Sequence, residues 1–473
     1  MKARRTPVLV TVTLLLAAGG FADRSTRPSR PVSVATAGRA LMPSAAPAGA
    51  LSTTWYCVGA GAGAAAGADG SVEMANPTDH PASGTVTVVP VGGAAASAKV
   101  TVAPWSVTSL NLVDVAPAPW ASALVELDSG QVTAELVARA SSESDAVPCS
   151  SRASDHWYFA DGVTAKDASL ALSLFNPFPE DAIVDLSFST DQGRASPAAF
   201  RPIVVPGHTL VVRDIGEHVR RRNAIATEVA VRTGRVIAAQ TQTRTATGKA
   251  GLSVSLGSPS LGTAWYFPAG SVTDGVDEHF AVSNPGSREA TVVFQTILDH
   301  GVAEDFERAV PAHGRLDVVL NEEVGVPRGV PHSATVLSLD GVPVVVSRTL
   351  EFAGAAGPVG RADTLGARRA ATRWLFAAGG PGESADEWLA VMNPGQAGGR
   401  FSVTGLAGGK ATPVDGLKDI AIGAGRRAQV RLDDHITGQA LPVIVDSTVP
   451  LVVERSYFVS GGGVWVGPGI PLD

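Results

Sequence analysis

Short runs of alternating apolar and polar residues recur along the chain from about residue 53, separated by Gly, Pro and Asn. Residues 85–89 (Thr-Val-Thr-Val-Val) and 334–339 (Ala-Thr-Val-Leu-Ser-Leu) are examples. A period of two is typical of a strand with one buried face, and β-branched Val dominates these runs. Asp340-Gly341 between two such runs predicts a two-residue hairpin turn. The pattern predicts an all-β fold.

Three landmarks recur four times in the same order. In each copy a first strand begins with Trp, and a second strand ends in Asn-Pro about nineteen to twenty-one residues after that Trp. A late apolar run then ends with Arg. The residues are Trp55, Trp157, Trp265 and Trp374; Asn76, Asn176, Asn284 and Asn393; Arg139, Arg244, Arg348 and Arg455. The chain is therefore built from four copies of one module of roughly a hundred residues.

The number and spacing of strands in each module favour an immunoglobulin-like β-sandwich, because about seven short strands fit into a hundred residues. A propeller blade would need only four strands and a shorter period. We expect four tandem sandwiches at residues 53–150, 151–261, 262–367 and 368–473. Residues 366–371 are polar enough for a linker, so modules 3 and 4 are each expected to fold independently.

The N-terminus is typical of an export signal. Lys2, Arg4 and Arg5 precede a short apolar run at residues 8–18, and Gly20 and Ala22 suit a cleavage site. Residues 1–22 are predicted to be a signal peptide, with a retained membrane anchor over residues 7–20 as the alternative. Either outcome places the remaining chain in a secreted or extracytoplasmic location. Residues 23–52, rich in Pro, Ala and Ser, are predicted to be a disordered tether.

The two cysteines fall at the two ends of the first module. Cys57 lies in its first strand and Cys149 at its end, and an even pair in an exported protein is usually a disulfide. Two buried free thiols are the alternative. Two Cys without a His pattern make no zinc site.

The repeat resembles a known family. The pattern Trp-Tyr-Phe-Ala-x-Gly, a strand ending in Asn-Pro, a Val-Pro corner and Val-Val-x-Glu-Arg-Ser is similar to a repeat of exported proteins from high-GC Gram-positive (actinobacterial) bacteria, a family catalogued as a domain of unknown function. The resemblance covers about residues 53–473 and departs most in module 1. It implies an extracellular β-sandwich array and brings no catalytic residues.

Net charge narrows the range of partners. The chain has 37 basic and 44 acidic residues, well mixed, for a net charge of −7, which argues against nucleic acid. The basic cluster Arg220, Arg221 and Arg222 is interpreted as a solvated turn, or alternatively as a contact for an anionic envelope polymer.

Other motifs predict no cofactor, metal or catalytic residue. The Gly-rich run at residues 59–67 mimics a dinucleotide-binding fingerprint, but no crossover helix follows it. No HExxH or GxSxG motif occurs. Acidic residues recur in modules 2–4 between the opening Trp strand and the Asn-Pro strand, and we interpret them as solvated loop charge, with calcium binding as the alternative. They are Asp161, Asp167, Asp274, Asp277, Glu278, Glu383, Asp386 and Glu387.

The repeated Arg and Trp residues are expected to be structural, the Arg as ties to carbonyls or carboxylates and the Trp as core. The sequence favours a non-catalytic cell-envelope scaffold, spacer or adhesive surface, whose partner is an envelope polymer or protein. The alternative is a cell-wall polysaccharide-binding array, which exposed Trp105, Trp120 or Trp388 would favour. A hydrolase assembled between modules is a third hypothesis without a supporting constellation.

Overall fold

The computed structural model describes residues 42–63, 67–140, 143–245, 250–301, 303–353, 358–377, 385–436, 441–459 and 463–472. This part of the chain is all-β, with several small antiparallel sheets and short 3₁₀ turns, which confirms the predicted class. Within it, no helix is long and apolar enough to cross a membrane. The predicted signal peptide or anchor lies outside the described residues, as do residues 23–41 of the predicted tether.

Each module consists of two antiparallel sheets that pack face to face. In module 1, an outer sheet has the order β4-β3-β6-β1 and an inner sheet has the order β5-β2-β7-β8. The strands of module 1 are β1 (Thr53–Ala62), β2 (Asp69–Asn76), β3 (Ala82–Pro90), β4 (Ala96–Val102), β5 (Ser106–Asn111), β6 (Ala118–Leu127), β7 (Thr133–Arg139) and β8 (Ser144–Pro148).

Module 2 repeats this plan with the sheets β12-β11-β15-β9 and β14-β10-β16-β17, and β13 pairs with β11. Its strands are β9 (His156–Phe159), β10 (Ala168–Asn176), β11 (Ala182–Thr190), β12 (Gly193–Ala195), β13 (Ile203–Val205), β14 (Thr209–Asp214), β15 (Ile225–Thr233), β16 (Ile237–Arg244) and β17 (Gly251–Leu256).

Module 3 has the sheets β21-β20-β23-β18 and β22-β19-β24-β25. Its strands are β18 (Ala264–Gly270), β19 (Val276–Asn284), β20 (Ala290–Leu298), β21 (Phe306–Val310), β22 (Gly314–Val319), β23 (His332–Ser338), β24 (Val345–Ala353) and β25 (Val359–Leu365).

Module 4 follows the same plan, except that the long strand β32 belongs to both sheets and pairs with β26, β27, β28 and β33. Its strands are β26 (Ala371–Phe376), β27 (Ala385–Met392), β28 (Gly399–Ala407), β29 (Lys410–Pro413), β30 (Ile420–Ile422), β31 (Arg427–Arg431), β32 (Val443–Val459), β33 (Val464–Pro468) and β34 (Ile470–Pro471).

The finer prediction of an immunoglobulin-like sandwich is wrong. An immunoglobulin constant-type domain divides seven strands into the sheets ABED and CFG. Here, in modules 1 and 3, the first strand pairs with the sixth, and an eighth strand is added to the edge of the inner sheet. The predicted hairpin at Asp340-Gly341 is also wrong, because β23 and β24 on either side of this turn belong to different sheets.

The four modules close into a four-bladed, propeller-like ring. The inner edge strands meet around one axis, where β8 contacts β17 and β33, and β25 contacts the same two strands. The Val254 N–H donates to Asp145 Oδ2 at 2.6 Å, and the Ser253 hydroxyl donates to Asp363 Oδ2 at 2.6 Å. Each blade is a two-sheet module, so it contains more strands than the four of a single-sheet propeller blade.

The hydrophobic cores continue across module boundaries. The core of module 1 includes Val254 from module 2 and Leu375 and Ile444 from module 4. The predicted linker is also part of the fold, since buried Ala367 exchanges backbone hydrogen bonds with Tyr266 at 2.9 and 3.0 Å. Residues 366 and 367 are therefore ordered within the fold, and the modules share buried interfaces; independent folding of modules 3 and 4 stays a prediction.

The end of the predicted tether packs against the ring. Met42 and Ala45 are buried, and the Ala45 N–H donates to the Pro471 carbonyl at 3.0 Å. The Gln131 N–H in turn donates to the Ala46 carbonyl at 3.0 Å. Residues 42–47 are therefore held by backbone hydrogen bonds of modules 1 and 4, which the Ala/Pro composition alone did not indicate.

A further repeat landmark follows, in every module, the strand that pairs with the edge of the Asn-Pro strand (β5, β14, β22 and β31). A 3₁₀ turn buries one aliphatic side chain beneath the inner sheet, and none of these turns was predicted. The four turns are Leu112–Asp114, Ile215–Glu217, Leu320–Glu322 and Leu432–Asp434, with Leu112, Ile215, Leu320 and Leu432 buried.

The predicted disulfide between Cys57 and Cys149 is present, and both residues are buried. Cys149 lies immediately after β8, so the bond joins the first strand of module 1 to the end of its inner edge strand. It spans 92 positions of sequence, a separation for which chain entropy accounts for about 4–5 kcal/mol of stabilisation.

Modules 2–4 replace the disulfide with a Phe ring packed on a Gly. The Cys57 position is occupied by Phe159, Phe267 and Phe376, and the Cys149 position by Gly257, Gly366 and Gly469. A Cβ atom on each Gly would lie 2.6–2.8 Å from the ring Cζ of the matching Phe. The absence of a side chain therefore allows the ring to make the connection that the disulfide makes in module 1.

We expect Gly366→Ala to lower the melting temperature, because the added methyl would meet the Phe267 ring at 2.6 Å and force the packing apart. Overpacking of this kind costs about 1–3 kcal/mol. Gly49→Ala is the matched control, since nothing lies within 4 Å of a Cβ there. Equal melting temperatures for the two variants in calorimetry would contradict the packing role.

The equivalence of the two connections predicts a rescue. Cys57→Ala/Cys149→Ala should lose about 4–5 kcal/mol of unfolding free energy through the released loop, less any residual structure in the unfolded chain. Cys57→Phe/Cys149→Gly should recover part of that loss by restoring ring-on-glycine packing. Denaturant titration of both variants measures the difference, and a Phe/Gly variant no more stable than the Ala/Ala variant would refute the equivalence.

Candidate functional site

The signature Trp residues make one identical contact in every module. All four are fully buried, and each indole N–H donates to a main-chain carbonyl that lies immediately before or within the strand containing the signature Arg of its module. The pairs are Trp55–Val132 at 2.9 Å, Trp157–Val236 at 2.9 Å, Trp265–Val344 at 3.1 Å and Trp374–Leu451 at 2.9 Å. This agrees with the interpretation of these residues as core.

The signature Asn residues organise the turn after the second strand. Each is fully buried, donates to a carbonyl four residues ahead and to a second carbonyl from another part of its module, and accepts an N–H two residues ahead. The first set of bonds is Asn76–His80, Asn176–Glu180, Asn284–Arg288 and Asn393–Ala397. These side chains replace backbone hydrogen bonds where Pro ends the strand.

The signature Arg residues do not share one register, contrary to the expectation from their spacing. Only Arg348 and Arg455 occupy equivalent positions. Each pairs across the sheet with the residue that lies four positions before the signature Asn of its module. The pairing partners are Asp69 for Arg139, Ala168 for Arg244, Phe280 for Arg348 and Leu389 for Arg455.

Two of these Arg residues connect neighbouring modules. Fully buried Arg348 donates to the Ala269 carbonyl and lies 3.2 Å from Glu454 Oε2 in module 4. Arg244 of module 2 lies 3.1 Å from Glu351 of module 3. Burial raises the pKa of Glu454, and Arg348 partly offsets that effect. These Arg residues act as ties, as expected, although the ties run between modules.

The other two stay within their own modules. Arg139 donates to the Ser71 hydroxyl at 2.8 Å, and buried Arg455 pairs with Glu387 and donates to the Leu441 carbonyl at 3.0 Å. All four side chains therefore bind other parts of the ring.

Several acidic residues of the predicted loops pair with buried side chains of other strands. Glu278 pairs with buried His332 at 2.9 Å, and Asp161 lies 3.1 Å from Arg361 and 3.3 Å from Arg315. The interpretation as solvated charge is therefore wrong for these residues. Glu383 lies outside the described residues.

Arg361 is the centre of the charged cluster between modules 2 and 3. It lies 2.8 Å from Glu351, 2.8 Å from Asp363 and 3.1 Å from Asp161. Burial alone would lower the pKa of Arg361, but the three carboxylates raise it overall. The cluster therefore holds its guanidinium charged within the interface.

Asp277, His279 and Glu351 are close enough together for one metal ion. Glu351 already pairs with Arg244 at 3.1 Å and Arg361 at 2.8 Å. Two guanidinium groups beside a ligand oxygen oppose the approach of a cation, so this trio fits an ion-pair network better than a metal.

The Gly-rich run of module 1 is part of the fold rather than a phosphate loop. Gly59 lies inside β1, and a Cβ there would meet Val254 of module 2 at 2.7 Å. Gly59 also adopts a φ of +121°, which other residues rarely reach. The glycine is needed for close contact between two modules.

A cavity of about 60 Å³ lies on the ring axis, at the carboxyl ends of the four inner edge strands. Four equivalent positions line it with apolar side chains, namely Pro148, Leu256, Leu365 and Pro468. Arg368 also lines the cavity. Its side chain stacks on Trp265, with 4.3 Å between the guanidinium carbon and the ring centre, and burial lowers its pKa to about 10.

The comparisons with known proteins point to an uncharacterised family. A family of unknown function, DUF5719, matches residues 141–260, which run from the last strand of module 1 through module 2. No curated protein matches the chain.

Two solved structures show limited likeness. A crystal structure of Thermotoga maritima 1070 shares 21% identity over 22% of this chain and 93% of that chain, with a TM-score of 0.21. Streptomyces avermitilis alpha-L-rhamnosidase complexed with L-rhamnose shares 10% identity over 80% of this chain and 54% of that chain, with a TM-score of 0.12. Neither score is high enough to bear on fold or function.

We expect Arg348→Ala to destabilise the ring by about 3–5 kcal/mol at neutral pH, because it leaves the Glu454 carboxylate buried without its cation. In that variant the pKa of Glu454 should rise further above its unfolded value. The loss should therefore be largest at neutral pH and shrink as the pH falls and Glu454 binds a proton.

Arg348→Ala/Glu454→Gln is the matched control, since the neutral amide removes the unpaired charge. Thermal unfolding between pH 5 and pH 8 measures the effect. A loss for Arg348→Ala that does not change with pH, or that Glu454→Gln does not relieve, would show that the ion pair is not the source of stability.

Proposed function

We propose that this protein is a non-catalytic, exported cell-envelope protein whose ring acts as a rigid scaffold or adhesive surface. The observation that carries the proposal is ring closure, because the repeat-signature side chains are engaged in contacts within and between modules. Loops between rigid strands are then the surface available to a partner, which is the usual division between scaffold and binding surface.

Export is supported by the disulfide. Cys57 and Cys149 are joined, and such bonds persist in oxidising compartments outside the cytoplasm. The charged and apolar segments at residues 1–22 have the order of an export signal. We propose a secreted or envelope-attached location on these two grounds.

The partner is proposed to be an envelope polymer or protein. Binding of wall polysaccharide by Trp stacking has less support, because Trp105, Trp120 and Trp388 are half-buried and the signature Trp residues are fully buried. A stacking platform needs an exposed aromatic face. The scaffold proposal is therefore preferred to the polysaccharide-binding array.

Fractionation of producing cells, combined with thiol alkylation and mass measurement, tests the location. We expect the protein outside the cytoplasm with both cysteines resistant to alkylation until a reductant is added. Protein recovered in the cytoplasm with two alkylatable thiols would contradict export.

Incubation of the purified protein with isolated envelopes tests the non-catalytic role. We expect the protein to sediment with the envelopes while the envelope polymers remain intact, with bovine serum albumin as the non-binding control. Time-dependent release of soluble sugars or peptides that scales with protein concentration would show turnover and overturn the proposal.

A further inference from the structure

The axial cavity combines apolar walls with room for a small ligand. Met42, Val147 and Val466 line it together with the four equivalent apolar positions defined above. A water molecule occupies about 10–15 Å³ on this measure of volume, so about 60 Å³ corresponds to roughly four to six heavy atoms. The cavity is also partly open to solvent, which gives a ligand access to it.

Arg368, a buried basic residue, is among the residues that line the cavity. Its residue surface is 8% exposed, and the side chain lies against Gly262 and over Trp265. Two of its nitrogens donate to the carbonyls of Ser260 at 3.3 Å and Leu261 at 3.1 Å. A guanidinium has five N–H donors, so these two bonds leave donor capacity.

No carboxylate of the described residues pairs with Arg368 within 4.0 Å. Its Nε atom is buried without an acceptor. The carboxylate of Asp363, which also lines the cavity, is occupied by Arg361 at 2.8 Å, the Thr349 hydroxyl at 2.5 Å and the Ser253 hydroxyl at 2.6 Å. A buried cation without an anion is costly, and an anionic ligand would relieve that cost.

We propose that the axial cavity is a binding site for a short monocarboxylate, whose carboxylate pairs with Arg368 and whose alkyl chain contacts the apolar walls. An inorganic anion would match only the positive charge of Arg368, and a neutral small molecule would match only the apolar walls of the cavity. This site goes beyond the scaffold function and does not depend on it.

Butyrate is the probe, butyramide the neutral match, and inorganic phosphate the anion without an apolar part. Titrations of the full chain followed by ligand-observed NMR and calorimetry should show butyrate binding in the millimolar range, as expected for so few heavy atoms. Butyramide should bind at least about tenfold more weakly because it lacks the charge. Absence of butyrate binding, equal binding of butyramide, or tighter binding of phosphate would each overturn the proposal.

Two variants test the site, one by removing its charge and the other by filling its volume. Arg368→Gln removes the charge, and Gly467→Leu adds a large side chain to a residue that lines the cavity, where the nearest atom to a new Cβ is 3.9 Å away. Both should weaken butyrate binding by at least about tenfold while retaining the β-type circular dichroism spectrum. Arg308→Gln, which removes an Arg from an ion pair with Glu323 outside the cavity, is the matched control and should bind like the parent.

If Arg368→Gln fails to fold, Gly467→Leu decides the question alone. Butyrate affinity unchanged in a folded Gly467→Leu protein would place the ligand elsewhere and refute the axial site.

Discussion

The meeting of four inner edge strands around one axis is the constraint on which the rest of the structure depends. An edge strand exposes unpaired backbone groups, and the ring covers this edge in every module with the edges of two neighbours. Closure requires the last module to fit the first. At that seam the Ala377 N–H donates to Glu135 at 3.1 Å, and Ala45 is tied to Pro471. Residues at both ends of the described chain therefore complete one body.

The connection between the first strand and the inner edge strand shows how one geometrical requirement is met by two kinds of chemistry. Module 1 uses the Cys57–Cys149 bond, whereas module 3 packs Phe267 on Gly366. The disulfide occurs in module 1, where Cys57 rather than an aromatic residue follows Trp55 and Tyr56. Both solutions fix the inner edge strand to its own module, which positions it against its neighbours.

The sequence predicted what depends on local pattern: the all-β class, the fourfold repeat, the buried Trp55 with its equivalents, and the disulfide. It could not predict contacts between modules, because those depend on which edges face each other. Arg348 and Arg139 follow similar landmarks but occupy different pairing positions, since spacing along the chain does not count bulges and strand lengths. Arg368 was assigned to a linker because its polar neighbours resemble one, although tertiary packing buries it.

Ring closure is tested most directly by small-angle X-ray scattering of the chain from residue 42 onward. A compact body of this length has a radius of gyration of about 22 Å. The account predicts a value close to this, with a single-peaked distance distribution. A markedly larger radius with the elongated distribution of four modules in a row would contradict the ring, and with it the interfaces that Arg348, Arg361 and the axial cavity depend on.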